Sequence, residues 1–204
     1  MASKRELKAE ITREKILEAA AEEIHSVGFR AASLSEILSK LGISKGALYH
    51  HFPDKLALGY AVVEECYGKR LEDEWARALK TSDPLAGIAG LLTEKVNKTC
   101  QDSLCCGCPI NNLATEMSPV DEGFRERVEA IYKKWHKQIA RAVLEGQTNG
   151  VVNNETDASE VAYFVIASIQ GAVGLAKNAQ DYAMFRNAVR GLFSYLDGLR
   201  VKAA

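Results

Sequence analysis

Between residues 33 and 55 the chain carries polar and small residues whose types and spacing suit contact with a nucleic acid. Serine, tyrosine, histidine and lysine side chains can donate hydrogen bonds to phosphate oxygens, and a glycine lets the main chain approach a phosphate closely. Lys45 and Ala47 are the candidates for contact with base edges. The predicted DNA-binding set is Ser33, Ser44, Lys45, Gly46, Ala47, Tyr49, His50 and Lys55.

These residues must be positioned by two short helices joined by a tight turn. Ser33 and Glu36 have the spacing of a capping box, which predicts that a helix begins there. Gly42 suits the left-handed conformation that ends such a helix, and Ser44 can cap the next one, which runs to about Phe52. The pattern is that of a helix-turn-helix, whose partner is double-stranded DNA.

The rest of the chain is predicted to be helical as well. Apolar residues recur at helical spacing along it, and no strand pattern competes, so the predicted fold is all-α. Residues 1–55 form a three-helix DNA-binding domain with the helix-turn-helix, and residues 56–204 a larger helical ligand-binding and dimerisation domain. The further helices are predicted at about 55–80, 85–100, 109–117, 121–145, 156–178 and 181–200, with loops at 101–108 and 146–155.

Charge and composition say more about where in the cell the protein is found than about its function. The net charge of the 204 residues is −1, and residues 1–55 hold nine basic and eight acidic side chains, so DNA binding must depend on where the charges lie. The N-terminus lacks the apolar region of a signal peptide. Val161–Ala176 is shorter than the roughly 18–20 residues that a spanning helix needs, so we expect a buried helix and no membrane association. A cytoplasmic protein with reduced cysteines is predicted.

The first 60 or so residues resemble the DNA-binding domain of the tetracycline-repressor (TetR) family. The matching segments are Thr12–Leu17, Gly28–Phe29, Ser33–Ile37 and Gly42–Phe52, followed by Lys55 at the family's spacing. The resemblance implies a transcriptional regulator, most often a repressor, and assigns DNA contacts to much the same positions. It also implies the switch: a small-molecule inducer binds the C-terminal domain, the helix from Lys55 shifts, and the recognition helices lose their register on the operator.

A dimer is expected, because one recognition helix buries little surface and a palindromic operator presents half-sites about 34–36 Å apart. The last two helices suit a four-helix interface between two copies. They offer small residues for close approach and an apolar stripe; alternatively, both helices belong to a monomer core. The small residues are Ala162, Ala167, Ser168, Gly171, Ala172 and Gly174, and the stripe is Phe185, Val189, Leu192, Phe193 and Leu196.

A pocket for the inducer is predicted within the C-terminal domain. Aromatic and thioether side chains could line it while amide and imidazole groups supply polarity. The candidates are Asn111, Met117, Phe124, Tyr132, Trp135 and His136, and for each of them plain core packing is the alternative.

Four cysteines lie within nine residues, at Cys100, Cys105, Cys106 and Cys108. They could be small apolar core residues, or a thiol sensor that switches the repressor in response to oxidants or electrophiles, with Cys108 activated at a helix N-terminus beside Pro109. A sensor would lose its oxidant response when all four become serine. A zinc site fits poorly, since two ligands would be adjacent in sequence. We therefore expect no metal and no cofactor.

No catalytic constellation stands out, so an enzyme is not expected. The competing enzymatic hypothesis is a cysteine-based redox enzyme acting through Cys108, which would turn over peroxide or disulfide substrates. A helical protein-interaction module is a third possibility, and it predicts no salt-dependent DNA binding.

Overall fold

The computed structural model of the protein describes residues 4–98 and 106–202. Within this part of the chain the structure is helical, with one isolated β-bridge between Val152 and Arg200. A π-helical stretch (Val62–Gly68), called the π segment below, interrupts the otherwise α-helical order. The helices are α1 (Lys4–Val27), α2 (Leu34–Leu41), α3 (Lys45–His51), α4 (Lys55–Ala61), α5 (Lys69–Ala78), α6 (Pro84–Lys98), α7 (Pro109–Glu116), α8 (Glu122–Thr148), α9 (Ala158–Ala179) and α10 (Tyr182–Gly198).

The described residues divide into two compact units. The first holds residues 4–70 and Pro109–Glu129, and the second holds residues 71–98, 106–108 and 130–202. The predicted all-α fold is confirmed, and the predicted helices at 33–41 and 45–52 are found within one residue of their expected bounds.

The core of the first unit forms around the apolar face of α1. Ile16 on α1, Leu48 on α3 and Leu58 on α4 are almost completely buried. Gly28 ends α1 with a φ of 86°, a left-handed conformation that glycine adopts without strain. The chain then buries Phe29, whose ring meets that of Phe124 edge-on with 4.7 Å between centroids.

The long helix predicted over about 55–80 is found as a continuous helical run from Lys55 to Ala78, in which the π segment joins α4 to α5. Two side chains of the π segment bind helix α1. The Tyr67 hydroxyl donates to the carbonyl of Ala21 at 2.5 Å, and the Arg13 guanidinium binds both carboxylate oxygens of Glu65. These partners are about 50 residues apart in sequence, so the periodicity of residues 55–80 carries no sign of them.

The core of the second unit is built from α6, α8, α9 and α10 around two tryptophans. Trp75 and Trp135 are buried, with their ring centroids 5.3 Å apart. Helix α8 continues to Thr148, so the loop predicted from Gly146 is wrong at its start. A Cβ at Gly146 would lie 2.7 Å from Pro84 Cγ and 2.8 Å from Val152 Cγ2, so this glycine serves close packing. Gly150, with a φ of 72°, makes the turn instead.

Helices α9 and α10 pack against each other. The burial of their side chains corrects two expectations. Phe185, Val189, Leu192 and Leu196 are buried in the core of their own unit, so the prediction that they supply an interface stripe is wrong. Helix α9 is only partly buried, since Tyr163, Phe164 and Leu175 are exposed. Its length and hydropathy would permit a membrane span, although residues such as Val165 and Ile169 lie in the core.

Candidate nucleic-acid interface

Local caps set the geometry of the helix-turn-helix. Ser33 Oγ accepts a hydrogen bond from the Glu36 amide at 3.4 Å, and Ser44 Oγ accepts one from the Ala47 amide at 3.3 Å. Gly42, with a φ of 64°, makes the turn between the helices. Since each serine uses its oxygen as the acceptor, its O–H remains able to donate to a phosphate at the helix N-terminus.

Helix α3 is anchored on one side and polar on the other. Leu48 and Phe52 are buried against the first unit's core. Lys45, Tyr49 and His50 are exposed, and Tyr49 keeps 49% of its surface accessible. Buried anchors at one face orient the opposite face outward, so a helix of seven residues presents a defined set of donors.

Gly46 and Ala47 complete this face. Gly46 is exposed, and Ala47 is half-buried. A Cβ built at Gly46 would meet only Ser44 Oγ, at 3.8 Å. The free protein therefore has no steric need for a glycine at this position.

Lys55, the remaining member of the predicted DNA-binding set, is half-buried. Its Nζ donates to the main-chain carbonyl of Arg30 at 3.1 Å and lies 5.0 Å from the centre of the Phe29 ring. This places the ammonium at the turn between α1 and α2 rather than on the exposed face of α3.

Two adjacent histidines, His50 and His51, end helix α3. The rings of His50 and His51 lie 5.1 Å apart in an edge-on arrangement. Burial lowers the pKa of His51, and the nearby charges of His50 and Arg13 lower it further. His51 is therefore neutral at neutral pH, and Lys45 is the fixed positive charge on this helix.

One contact at this site has no signal in the local sequence. Glu116 on α7 accepts hydrogen bonds from the amides of Phe29 and Arg30, more than 80 residues earlier in the chain. Only a residue covariation or a structure could connect positions so far apart.

The six candidate ligand-binding residues divide between the units. Asn111, Met117 and Phe124 belong to the first unit, in which Met117 and Phe124 are buried. Tyr132, Trp135 and His136 belong to the second.

The three candidates of the second unit each have aromatic or polar neighbours. Tyr132 stacks on Trp135 with 6.3 Å between centroids. His136 Nε2 lies 3.0 Å from Ser159 Oγ. Burial, and then the proximity of Cys108, raises the pKa of Tyr132, so its hydroxyl stays protonated.

Three polar side-chain atoms of the second unit are buried without a hydrogen bond to the described residues. Trp135 Nε1, Gln138 Oε1 and Gln170 Oε1 have no hydrogen-bond partner among the described residues. A buried donor or acceptor without a partner is costly, so such atoms are natural points of attachment for a ligand.

The structure describes two members of the cysteine cluster. Cys100 and Cys105 lie outside the described residues, whereas Cys106 and Cys108 are half-buried directly before α7. Within residues 4–98 and 106–202 no group of three or more histidine, cysteine or acidic side chains is placed to hold a metal ion.

Comparison with known proteins agrees with this architecture. Residues 16–62 match the family described as bacterial regulatory proteins of the tetR family, and residues 73–190 match the C-terminal domain of LmrA/YxaF-like transcriptional regulators.

Two relatives illustrate the match along the sequence. The transcriptional regulator LmrA of Bacillus subtilis is 31% identical over 173 residues, which cover 83% of this chain and 88% of LmrA. The transcriptional repressor DhaR of a Mycobacterium species is 26% identical over 153 residues, 72% of each protein.

A solved structure agrees with the fold as a whole. A TetR transcriptional regulator from Chloroflexus aurantiacus superposes with a TM-score of 0.84 at 27% identity, covering 96% of this chain and 99% of that one. With the helix-turn-helix at one end and the matched C-terminal domain over more than half of its length, the chain belongs to the TetR family of transcriptional regulators.

Proposed function

We propose that this regulator is a repressor that binds a palindromic operator as a homodimer and is released by a small-molecule inducer. The observation that carries the proposal is helix α3, which exposes Lys45, Gly46, Tyr49 and His50 while Leu48 fastens it to the core. The set Ser33, Ser44, Lys45, Gly46, Ala47, Tyr49, His50 and Lys55 contacts the DNA, with Lys45 and Ala47 facing base edges.

The exposed face of α9 supports a dimer. Phe164, Ser168, Gly171 and Leu175 recur at helical spacing on this face, where Phe164 and Leu175 are exposed apolar residues. Phe164 also contacts the ring of Tyr195 on α10, so both last helices contribute to the surface. Members of the family bind operator DNA as dimers, and a second copy of this chain would cover the face.

The unpartnered atoms of the second unit support an inducer site. Trp135 Nε1 can donate to a ligand oxygen, while Gln138 Oε1 and Gln170 Oε1 can accept. Tyr132 and His136 add aromatic surface within the same unit. Asn111, Met117 and Phe124, the candidates of the first unit, remain predictions for ligand binding. To lower operator occupancy about 100-fold, the inducer must favour the released state by about 2.7 kcal/mol. The proposed route is a shift of the helix that starts at Lys55.

A thiol trigger is the second candidate for release. Cys106 and Cys108 are half-buried and directly precede α7, whose last residue, Glu116, binds the α1–α2 turn. Modification of these thiols would act on the same repressor in place of an inducer. We place the protein in the cytoplasm, where such thiols are reduced until an oxidant arrives, and we propose no catalytic role.

The decisive experiment is a gel-shift titration of the reduced protein on the DNA that flanks its own gene, with scrambled DNA as competitor. The proposal predicts a complex that resists the competitor and weakens steeply as salt rises, because phosphate contacts release counterions. Absence of binding even at low salt would contradict the proposal and favour a helical interaction protein or a redox enzyme.

A further inference from the structure

The turn between α1 and α2 is held by a carboxylate from a distant helix. Glu116, the last residue of α7, accepts hydrogen bonds from the amide of Phe29 at 2.9 Å and from that of Arg30 at 2.8 Å. The neighbouring amides of Gly28 and Ala32 donate to main-chain carbonyls instead. One side chain therefore binds two consecutive amides of the turn.

Gly28 is what lets the carboxylate come this close. A Cβ at Gly28 would lie 2.9 Å from Glu116 Oε2, nearer than carbon and oxygen pack in proteins, and the φ of 86° independently favours glycine. Hydrogen bonds from amides to an ionised acceptor are about twice as strong as neutral ones. The glycine therefore gives the carboxylate room, and the two amides of the turn donate to its oxygens.

The turn leads directly to residues of the DNA-binding set. The Arg30 carbonyl accepts the hydrogen bond of Lys55 Nζ, and the same ammonium lies over the Phe29 ring. Three residues after Arg30, Ser33 caps α2. A displacement of Phe29 and Arg30 would therefore move Lys55 and the N-terminus of α2 together.

We propose that Glu116 is a positioning residue for DNA binding: by fixing Phe29 and Arg30 it holds Lys55 and Ser33 in the geometry that phosphate contacts require. Glu116 itself does not contact DNA. The inference rests on the proposed function, because it takes Lys55 and Ser33 to bind operator phosphates.

Substitution of Glu116 separates positioning from simple electrostatics, because the two effects have opposite signs. Glu116→Gln removes a negative charge, which by itself would strengthen binding to DNA, but it loses one of the two amide bonds. We expect operator affinity, measured by fluorescence anisotropy, to fall about tenfold, or about 1.4 kcal/mol. Glu116→Asp keeps the charge but shortens the side chain by one methylene group. We expect it to lower operator affinity by a similar factor. Affinity for scrambled DNA should be unchanged or higher.

Glu122→Gln is the matched control, because it makes the same charge change at an exposed residue whose partner is Arg125. If both Glu116 variants bind the operator as tightly as the control, the proposal is wrong. Thermal unfolding identifies a variant that has lost its fold.

Amide hydrogen exchange in the free protein tests the contact without DNA. Glu116→Gln should speed exchange at Phe29 and Arg30 while leaving helix α3 unchanged, and unchanged exchange at the two amides would overturn the inference. A wild-type protein without operator preference would instead overturn the proposed function, and with it the DNA-binding role of Glu116.

Discussion

At Gly46 the free protein leaves room for a side chain, whereas closely bound DNA would not. A Cβ there has a single neighbour, Ser44 Oγ at 3.8 Å, and the residue lies in a helix, where alanine is favoured over glycine by about 0.5–1 kcal/mol. The stability of the free protein therefore gives no reason for glycine. If the main chain at Gly46 approaches a phosphate, binding supplies that reason.

We expect Gly46→Ala to lower operator affinity about tenfold or more, equivalent to about 1.4 kcal/mol, while the free energy of unfolding stays equal or rises. Anisotropy titration and urea unfolding measure the two quantities. Gly90→Ala is the control, since Gly90 lies in α6 with nothing within 4 Å of its Cβ position. Operator affinity equal to that of the control would show that α3 does not approach DNA at Gly46.

At the scale of elements, α4 packs in the core of the first unit where Gly59 lies against two aromatic rings. A Cβ at Gly59 would overlap the Phe29 ring and lie 2.8 Å from Phe124 Cζ. Phe124 in turn packs edge-on against Tyr60, with 5.0 Å between centroids. Both rings pack against neighbouring rings, so moving either one to make room for a methyl group would cost free energy.

Gly59→Ala should therefore lower the free energy of unfolding by about 1–3 kcal/mol, in spite of the better helix propensity of alanine. The midpoint of urea unfolding, followed by circular dichroism, measures the change. Gly90→Ala, the same substitution in an uncrowded helix, should not lower it. A Gly59→Ala protein as stable as wild type would show that α4 can move relative to Phe29 and Phe124 without cost.

At the scale of the whole molecule, the proposed function requires two copies of the chain. The α10 side chains that were expected to form the interface are buried in the core of their own copy. The outward face of α9 instead carries the exposed Phe164 and Leu175. Leu175 is 57% exposed, so a charged residue there costs the isolated chain little. At a packed interface the same charge would be buried without a partner.

We expect Leu175→Glu to produce a folded monomer with weak operator binding, because a monomer presents one recognition helix to the operator where a dimer presents two. Size-exclusion chromatography with light scattering gives the mass, and the gel shift gives the affinity. Val120→Glu, at a similarly exposed apolar residue outside the last two helices, should stay dimeric. A dimer that survives Leu175→Glu would place the interface elsewhere.

The sequence by itself determined the helix-turn-helix, because its signals are local. Ser33, Gly42 and Ser44 each act within four residues, and the structure finds the two capped helices and the turn where these residues predict them. The buried Leu48 and Phe52 follow from helical spacing in the same way. A cap or a turn depends on its immediate neighbours, so it can be recognised without knowledge of the rest of the fold.

Only the tertiary structure decided features that depend on distant partners. The π segment binds α1 through Tyr67, Gly146 packs against Pro84, and Glu116 binds a turn more than 80 residues away. Whether an apolar stripe such as that of α10 faces its own core or a second copy is likewise a question of packing. Periodicity reports that a face is apolar, and the folded chain alone determines what covers it.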